Sequence, residues 1–130
     1  MADRRLLLSS VLLLAACGGG SDSDPYQQAV DAANQAEAQA RMLGVASPCQ
    51  QSSQCGVLTF MEPTGCPRPS YQVYSLISSS AQAASAAASE ELVLAAQAMA
   101  LNPQPPGPCP NVIMAPPIPV CVANTCQPGP

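Results

Sequence analysis

The sequence contains no histidine, no lysine and no tryptophan, and its only phenylalanine is Phe60. Without histidine or lysine, a serine or cysteine nucleophile lacks the bases that most often activate it. The same absence removes the commonest nitrogen ligand of protein zinc sites. We therefore expect no catalytic residues, no enzyme activity and no bound metal.

Positive charge is also scarce. The chain carries 4 Lys plus Arg against 8 Asp plus Glu, so its formal net charge at pH 7 is −4. A surface of this sign repels phosphate, and we expect no nucleic-acid partner. The sequence also lacks glycine-rich dinucleotide or phosphate-binding motifs, C-x-x-C pairs and haem-attachment motifs. No cofactor is therefore expected.

Paired carboxylates are the acid–base chemistry that the composition leaves open. Glu62 with Glu90 or Glu91 is the pair available within residues 45–130. Glu90 and Glu91 lie in an alanine-rich stretch, and carboxylates on such a helix normally form its solvent-facing side. We interpret them as solvated side chains rather than catalytic groups.

The N-terminal stretch carries the most specific motif. Two arginines precede residues 6–16, which are apolar apart from Ser9 and Ser10. This run is long enough for a signal-peptide core and too short to span a bilayer stably. The run ends in Leu14-Ala15-Ala16-Cys17, which resembles the lipobox of bacterial lipoprotein signal peptides. This resemblance implies that residues 1–16 are removed and that Cys17 receives a thioether-linked diacylglycerol.

The same resemblance implies a location. Two or three acyl chains anchor a protein stably, so the partner of the N-terminus would be the membrane. In enteric-type sorting, an aspartate directly after the lipidated cysteine favours retention in the inner membrane. Gly18 occupies that position here, so the resemblance favours the outer membrane, with the domain facing the periplasm. Residues 17–24 are rich in glycine and serine, and we expect the lipidated cysteine to be followed by a flexible tether.

Six further cysteines follow Cys17. An even number of cysteines in a short exported chain indicates a disulfide framework, and the bacterial envelope is oxidising. The sequence leaves their pairing open. Three of the cysteines precede residues 81–101, a predicted helix, and three follow them. We therefore expect disulfide bonds between the segment before this helix and the segment after it. The six are Cys49, Cys55, Cys66, Cys109, Cys121 and Cys126.

Two alanine-rich helices are predicted. The first spans residues 25–44, between an Asp-Pro start and a glycine cap. Its apolar stripe is mostly alanine, so we expect it to dock weakly, as a spacer helix between tether and domain. The second spans residues 81–101 and ends at Asn102-Pro103. Core packing is its expected role, and self-association is the alternative.

Short strands are predicted at residues 56–61 and 71–76, where they can form a hairpin. A tight turn is predicted at Ala123-Asn124, and a third short strand near Cys121 could join the same sheet. Residues 102–119 are proline-rich and should be extended. The predicted fold is a small, disulfide-rich α+β domain over residues 45–130. It combines alanine-rich helices with an antiparallel sheet of two or three strands.

These features favour a lipid-anchored cell-envelope lipoprotein with a non-catalytic structural or protein-binding role, its partner being another envelope protein. The alternative is a periplasmic inhibitor of a hydrolase such as a protease or lysozyme. Arg68, bracketed by Pro67 and Pro69, and the nearby Tyr71 would then form a preorganised binding loop. An ordinary stiff turn is the competing interpretation of the same prolines.

Overall fold

The computed structural model describes residues 24–111 and 113–130. The predicted signal peptide, the lipidation site Cys17 and the tether up to residue 23 lie outside the described residues. Among those described, neither helix has the length and hydropathy needed to cross a bilayer.

The described chain forms two helices and two small antiparallel sheets of two strands each. The predicted class, small α+β with alanine-rich helices and three disulfide bonds, is therefore confirmed. The elements follow in the order α1 (Pro25–Leu43), a 3-10 turn (Ser52–Gln54), β1 (Cys55–Met61), β2 (Pro69–Ser75), α2 (Ala81–Leu101), β3 (Pro119–Val122) and β4 (Thr125–Pro128).

Helix α1 begins and ends where capping chemistry places it. The side chain of Asp24 accepts a hydrogen bond from the backbone N–H of Tyr26 at 3.1 Å, and proline occupies the first turn. At the other end, the N–H of Gly44 donates to the carbonyl of Ala40 at 2.8 Å. These bonds satisfy backbone groups that a helix leaves without partners at its ends.

The expectation that α1 is a weakly docked spacer is wrong. The helix packs along α2 and buries Val30, Ala33, Ala36 and Ala40. Alanine on both helices lets the two backbones approach closely, so many small contacts replace a few large ones. Helix α1 is therefore part of the folded domain rather than a separate spacer before residue 45.

The central hairpin confirms the strand prediction. Strands β1 and β2 pair antiparallel from Cys55 opposite Ser75 to Met61 opposite Pro69. Leu58 and Phe60 join the helices in one buried cluster. On the same hairpin, Val73 packs with the cysteines of the second sheet instead. The hairpin therefore lies between the helices on one face and the C-terminal segment on the other.

Strands β3 and β4 form a separate sheet rather than extending the first one. The tight turn between them is confirmed, because Ala123 and Asn124 both have positive φ, 49° and 65°, as a two-residue hairpin turn requires. The C-terminal hairpin is held by backbone bonds as well as disulfides: the N–H of Cys126 donates to the carbonyl of Ala46 at 2.7 Å.

Helix α2 has the predicted bounds, Ala81–Leu101, and its core-packing role is confirmed. After it, the chain runs over the surface without helix or strand to Ile118, in the part that is described. The side chain of Ile113 is 85% exposed. Prolines in this stretch remove backbone donors, so it gains little from pairing with a sheet.

Candidate functional site

All six cysteines after Cys17 are paired, and each bond joins the segment before α2 to the segment after it. The pairs are Cys49–Cys121, Cys55–Cys126 and Cys66–Cys109, with Cα–Cα distances of 6.0, 5.6 and 5.5 Å. This is the pairing across α2 that the three-and-three division of the cysteines predicted.

Two of these bonds lie side by side. The sulfur atoms of Cys49, Cys55 and Cys126 all fall within 4.8 Å of one another, and all three residues are buried. A cluster of thiols at this distance resembles a metal site, but every sulfur in it already belongs to a disulfide bond. The cluster acts as the covalent core between the hairpin and the C-terminal sheet.

The predicted binding loop connects β1 to β2. Arg68 is exposed at its end, and its carbonyl accepts a hydrogen bond from the N–H of Glu62 at 3.0 Å. The disulfide from Cys66 to Cys109 fixes the middle of the loop, and Gly65 supplies the turn with a φ of +64°. The loop thus presents an exposed guanidinium on a backbone held at both ends.

Tyr71, the second predicted binding residue, has a structural contact. Its hydroxyl donates to the carbonyl of Met114 at 2.7 Å, which ties the proline-rich segment to β2. The neighbouring Ser70 accepts a hydrogen bond from Arg41 on α1. Since successive strand residues point to opposite faces, Tyr71 is turned away from the helices and towards the C-terminal segment.

Arg41 connects α1 to the hairpin, which the sequence did not predict. Its guanidinium carbon lies 4.3 Å from the centre of the Phe60 ring. The group donates to Glu37 at 2.7 Å and to Ser70 at 2.9 Å. From β2, the side-chain amide of Gln72 donates to the carbonyl of Gly44 at 2.7 Å. These contacts explain why an alanine-rich helix docks firmly.

The interpretation of Glu91 as a solvated side chain is wrong, whereas Glu90 is exposed as expected. Glu91 is fully buried, and both of its carboxylate oxygens accept the backbone N–H of Met61 at 3.2 Å. Burial raises the pKa of Glu91 to about 7, although the hydrogen bond from Met61 opposes this shift. A carboxyl closed off from solvent is a structural group rather than an acid that reaches a substrate.

The burial of Glu91 is consistent with the helical spacing of the other buried residues of α2. The buried residues of α2 recur three or four positions apart, and Glu91 falls within that series between Ala88 and Ala95. Leu92, the next residue along, is 37% exposed. Alanine lies on all sides of α2, so residue types alone do not mark which side of this helix is buried.

A shallow groove of about 430 Å³ runs between the end of β2 and the first half of α2. Tyr74 and Leu76 line one side, and Gln82, Ser85 and Ser89 line the other. The groove is open and contains no ionisable carboxylate, imidazole or amine among these side chains.

Comparison with protein-family models, with curated proteins and with solved structures gives no match to this chain.

Proposed function

We propose that this protein is a lipid-anchored lipoprotein of the bacterial envelope. Its disulfide-bonded domain has a non-catalytic structural or protein-binding role, held at the membrane by acyl chains on Cys17. The outer membrane, with the domain facing the periplasm, is the location that Gly18 favours by resemblance to enteric-type sorting.

The observation that carries this proposal is the cysteine pairing. The chain has 7 cysteines, and six of them form three disulfide bonds within the described domain. Cys17 is the cysteine left over, and it is the one that stands at the end of the lipobox. An odd cysteine in an exported chain needs a separate use, and thioether lipidation supplies one.

The domain supports a contact role. Its ionisable groups include a buried carboxyl at Glu91 and a guanidinium at Arg41 that is held by hydrogen bonds, so both are committed to packing. Leu76 and Ile77, beside the groove, are 46% and 49% exposed. Exposed apolar side chains rimmed by serine and glutamine are typical of protein contact sites.

The test is an intact mass measured on protein extracted from native membranes, before and after reduction and alkylation. We expect residues 17–130 plus an acylated glycerol, with six thiols that react only after reduction. A Cys17→Ala variant is the control, because it keeps all three disulfides and loses the lipid. An unlipidated wild-type mass contradicts the anchor, and thiols that react before reduction contradict the disulfide framework.

A second candidate, inhibition of a hydrolase, is favoured by the exposed Arg68 on a loop fixed by the disulfide between Cys66 and Cys109. A loop ordered before binding loses little entropy on binding. Purified protein carrying Cys17→Ala would be assayed against trypsin-like proteases and lysozymes, with Arg68→Ala as the matched control. Absence of inhibition at micromolar concentration removes this candidate for those enzymes.

A further inference from the structure

The second half of α2 has an exposed apolar face without charge. Val93 and Leu101 are 57% and 49% exposed, and Leu92 lies beside them. From residue 92 to residue 101 the helix contains no charged residue, and Gln97 is its only polar side chain. We call this surface the α2 outer face; its apolar residues are Leu92, Val93, Ala96, Ala100 and Leu101, and the exposed Gln97 lies between Val93 and Leu101.

The position of this face follows from how the helices run. At the start of α2, the hydroxyl of Ser80 donates to the carbonyl of Leu43, the last residue of α1, at 2.6 Å. Because α1 and α2 also pack along their lengths, they are antiparallel. The C-terminal half of α2 therefore lies at the same end of the domain as Pro25, where α1 begins.

That end is also where the chain reaches the membrane, an argument that rests on the proposed function. Residues 18–23 separate the lipidation site Cys17 from Asp24. A chain spans at most about 3.6 Å per residue, so Asp24 lies no more than about 25 Å from the lipidated cysteine. This distance is shorter than α1 itself, which is about 28 Å long for its 19 residues.

We propose that the α2 outer face rests on the lipid surface in which the acyl chains of Cys17 are embedded. Leucine, valine and alanine side chains enter the region between headgroups and acyl chains without needing anionic lipid. The acidic balance of the chain, 8 Asp plus Glu against 4 Lys plus Arg, instead favours zwitterionic lipid. The anchor supplies a high effective concentration, so a weak contact is sufficient.

The size of the face argues against a second copy of the chain as its occupant. Five partly exposed side chains, two of them alanine, offer a few hundred Å² at most. A stable protein interface needs about 800 Å² from each partner. Contact with a bilayer has no such minimum area when a covalent anchor already holds the protein in place.

The chain has no tryptophan, so one introduced tryptophan reports its own surroundings. Val93→Trp places it in the α2 outer face. Gln82→Trp is the matched control, because residue 82 is exposed and lies eleven positions earlier, about three helical turns away on the same side of α2. Leu101→Trp is a second reporter within the face, in case replacement of Val93 disturbs folding.

Full-length lipidated protein would be reconstituted in phosphatidylcholine vesicles with and without bromine on the acyl chains. We expect brominated lipid to lower the fluorescence of the Val93→Trp and Leu101→Trp variants about twofold or more, since interfacial side chains sit within reach of the upper acyl chain. The Gln82→Trp variant should be unchanged.

The outcomes separate the two proposals. Lipidated Val93→Trp and Leu101→Trp variants that are folded but unquenched overturn the membrane contact and leave the anchor standing. If the tryptophan emission of these variants changes with protein concentration and is not lowered by brominated lipid, a second copy of the chain covers the face. The proposed membrane contact is then wrong. A mass without acyl glycerol overturns the proposed function and, with it, this inference.

Discussion

The carboxylate of Glu91 on α2 accepts the backbone N–H of Met61, the last residue of β1, with both oxygens at 3.2 Å. Met61 lies opposite Pro69 in the hairpin, and the next N–H, that of Glu62, is the one that donates across to Arg68. In an antiparallel ladder these N–H groups alternate in direction. Glu91 therefore satisfies a donor on the free edge of β1 and closes that edge to other strands.

Burial of this carboxyl makes the domain more stable when Glu91 is protonated. The pKa of Glu91 is raised from 4.5 to about 7, chiefly by burial, with the charges of Glu37 and Glu62 adding to the rise and Arg41 opposing it. The folded protein thus binds a proton that the unfolded chain releases between these two pH values. Stability falls as pH rises through this window and levels off above it.

We expect the free energy of unfolding to fall by about 2 kcal/mol between pH 5 and pH 8, less than the full conversion of the pKa shift because part of the window lies below pH 5. Urea unfolding at pH 5, 6, 7 and 8 would compare wild type with Glu91→Gln, in which the neutral amide does not titrate. Because the neutral amide resembles the protonated carboxyl, the two proteins should be similar in stability at pH 5, and Glu91→Gln should be the more stable of the two at pH 8. The exposed neighbour is the control: Glu90→Gln should keep the wild-type pH profile, and equal profiles for all three proteins would contradict the prediction.

Gly44 is where the end of α1 comes closest to the sheet. A Cβ atom at this position would lie 2.8 Å from Cδ1 of Leu58 and 3.0 Å from Nε2 of Gln72, the amide that caps the helix. We expect Gly44→Ala to destabilise the domain by about 1–3 kcal/mol, since a packed interior resists an added methyl group. The effect is read from the urea midpoint.

Gly107 provides the contrast, because a Cβ atom there meets nothing within 4 Å. We expect Gly107→Ala to leave stability unchanged or to raise it by about 0.4–1 kcal/mol through the lower entropy of the unfolded chain. If both variants lost the same free energy of unfolding, the close contacts at Gly44 would not be the cause of the loss.

Elements that depend on local sequence were predictable. Asp24 and Pro25 mark the start of α1, Asn102-Pro103 the end of α2, and the alternating residues of β1 and β2 their hairpin. In each case the deciding interactions are between residues that are only a few positions apart in the sequence. The α+β class and the bonding of cysteines across α2 follow from the same local features and from cysteine positions.

Packing between distant segments was not predictable in the same way. Alanine gives little hydrophobic signal, so the firm docking of α1 depends on Arg41 meeting Phe60 and Ser70, residues far away in the chain. Likewise, Tyr71 looked like an exposed binding residue because its partner is a backbone carbonyl, that of Met114. A backbone acceptor leaves no trace in residue identities. Arg68 is exposed, but its binding role stays a prediction.

The three disulfides should differ in their contribution to stability. Cys55 and Cys126 are buried beside Val73, whereas Cys109 is exposed and Cys66 is half-buried. The sequence separations, 71 and 43 residues, change the loop-entropy contribution by only about 0.4 kcal/mol. The larger difference should come from lost packing.

We therefore expect replacement of Cys55 and Cys126 together by alanine to cost more than replacement of Cys66 and Cys109. The excess should be about 1–2 kcal/mol, the usual cost of opening a small buried cavity. Thermal unfolding of the two double variants, each keeping the other two bonds, checks the order. A larger loss in the Cys66 and Cys109 variant would mean that the loop and the proline-rich segment contribute more than the buried cluster.

The hydrogen bond from Tyr71 to Met114 should restrain the proline-rich segment locally. Tyr71→Phe removes the donor and keeps the ring, so we expect a global loss of only about 1 kcal/mol and faster amide exchange at Met114 and Ala115, measured by NMR. Tyr26→Phe is the control, because the Tyr26 hydroxyl makes no hydrogen bond within the described residues. Unchanged exchange in the Tyr71 variant would show that the disulfide at Cys109 alone holds the segment. Faster exchange in both variants would trace the effect to a general loss of stability.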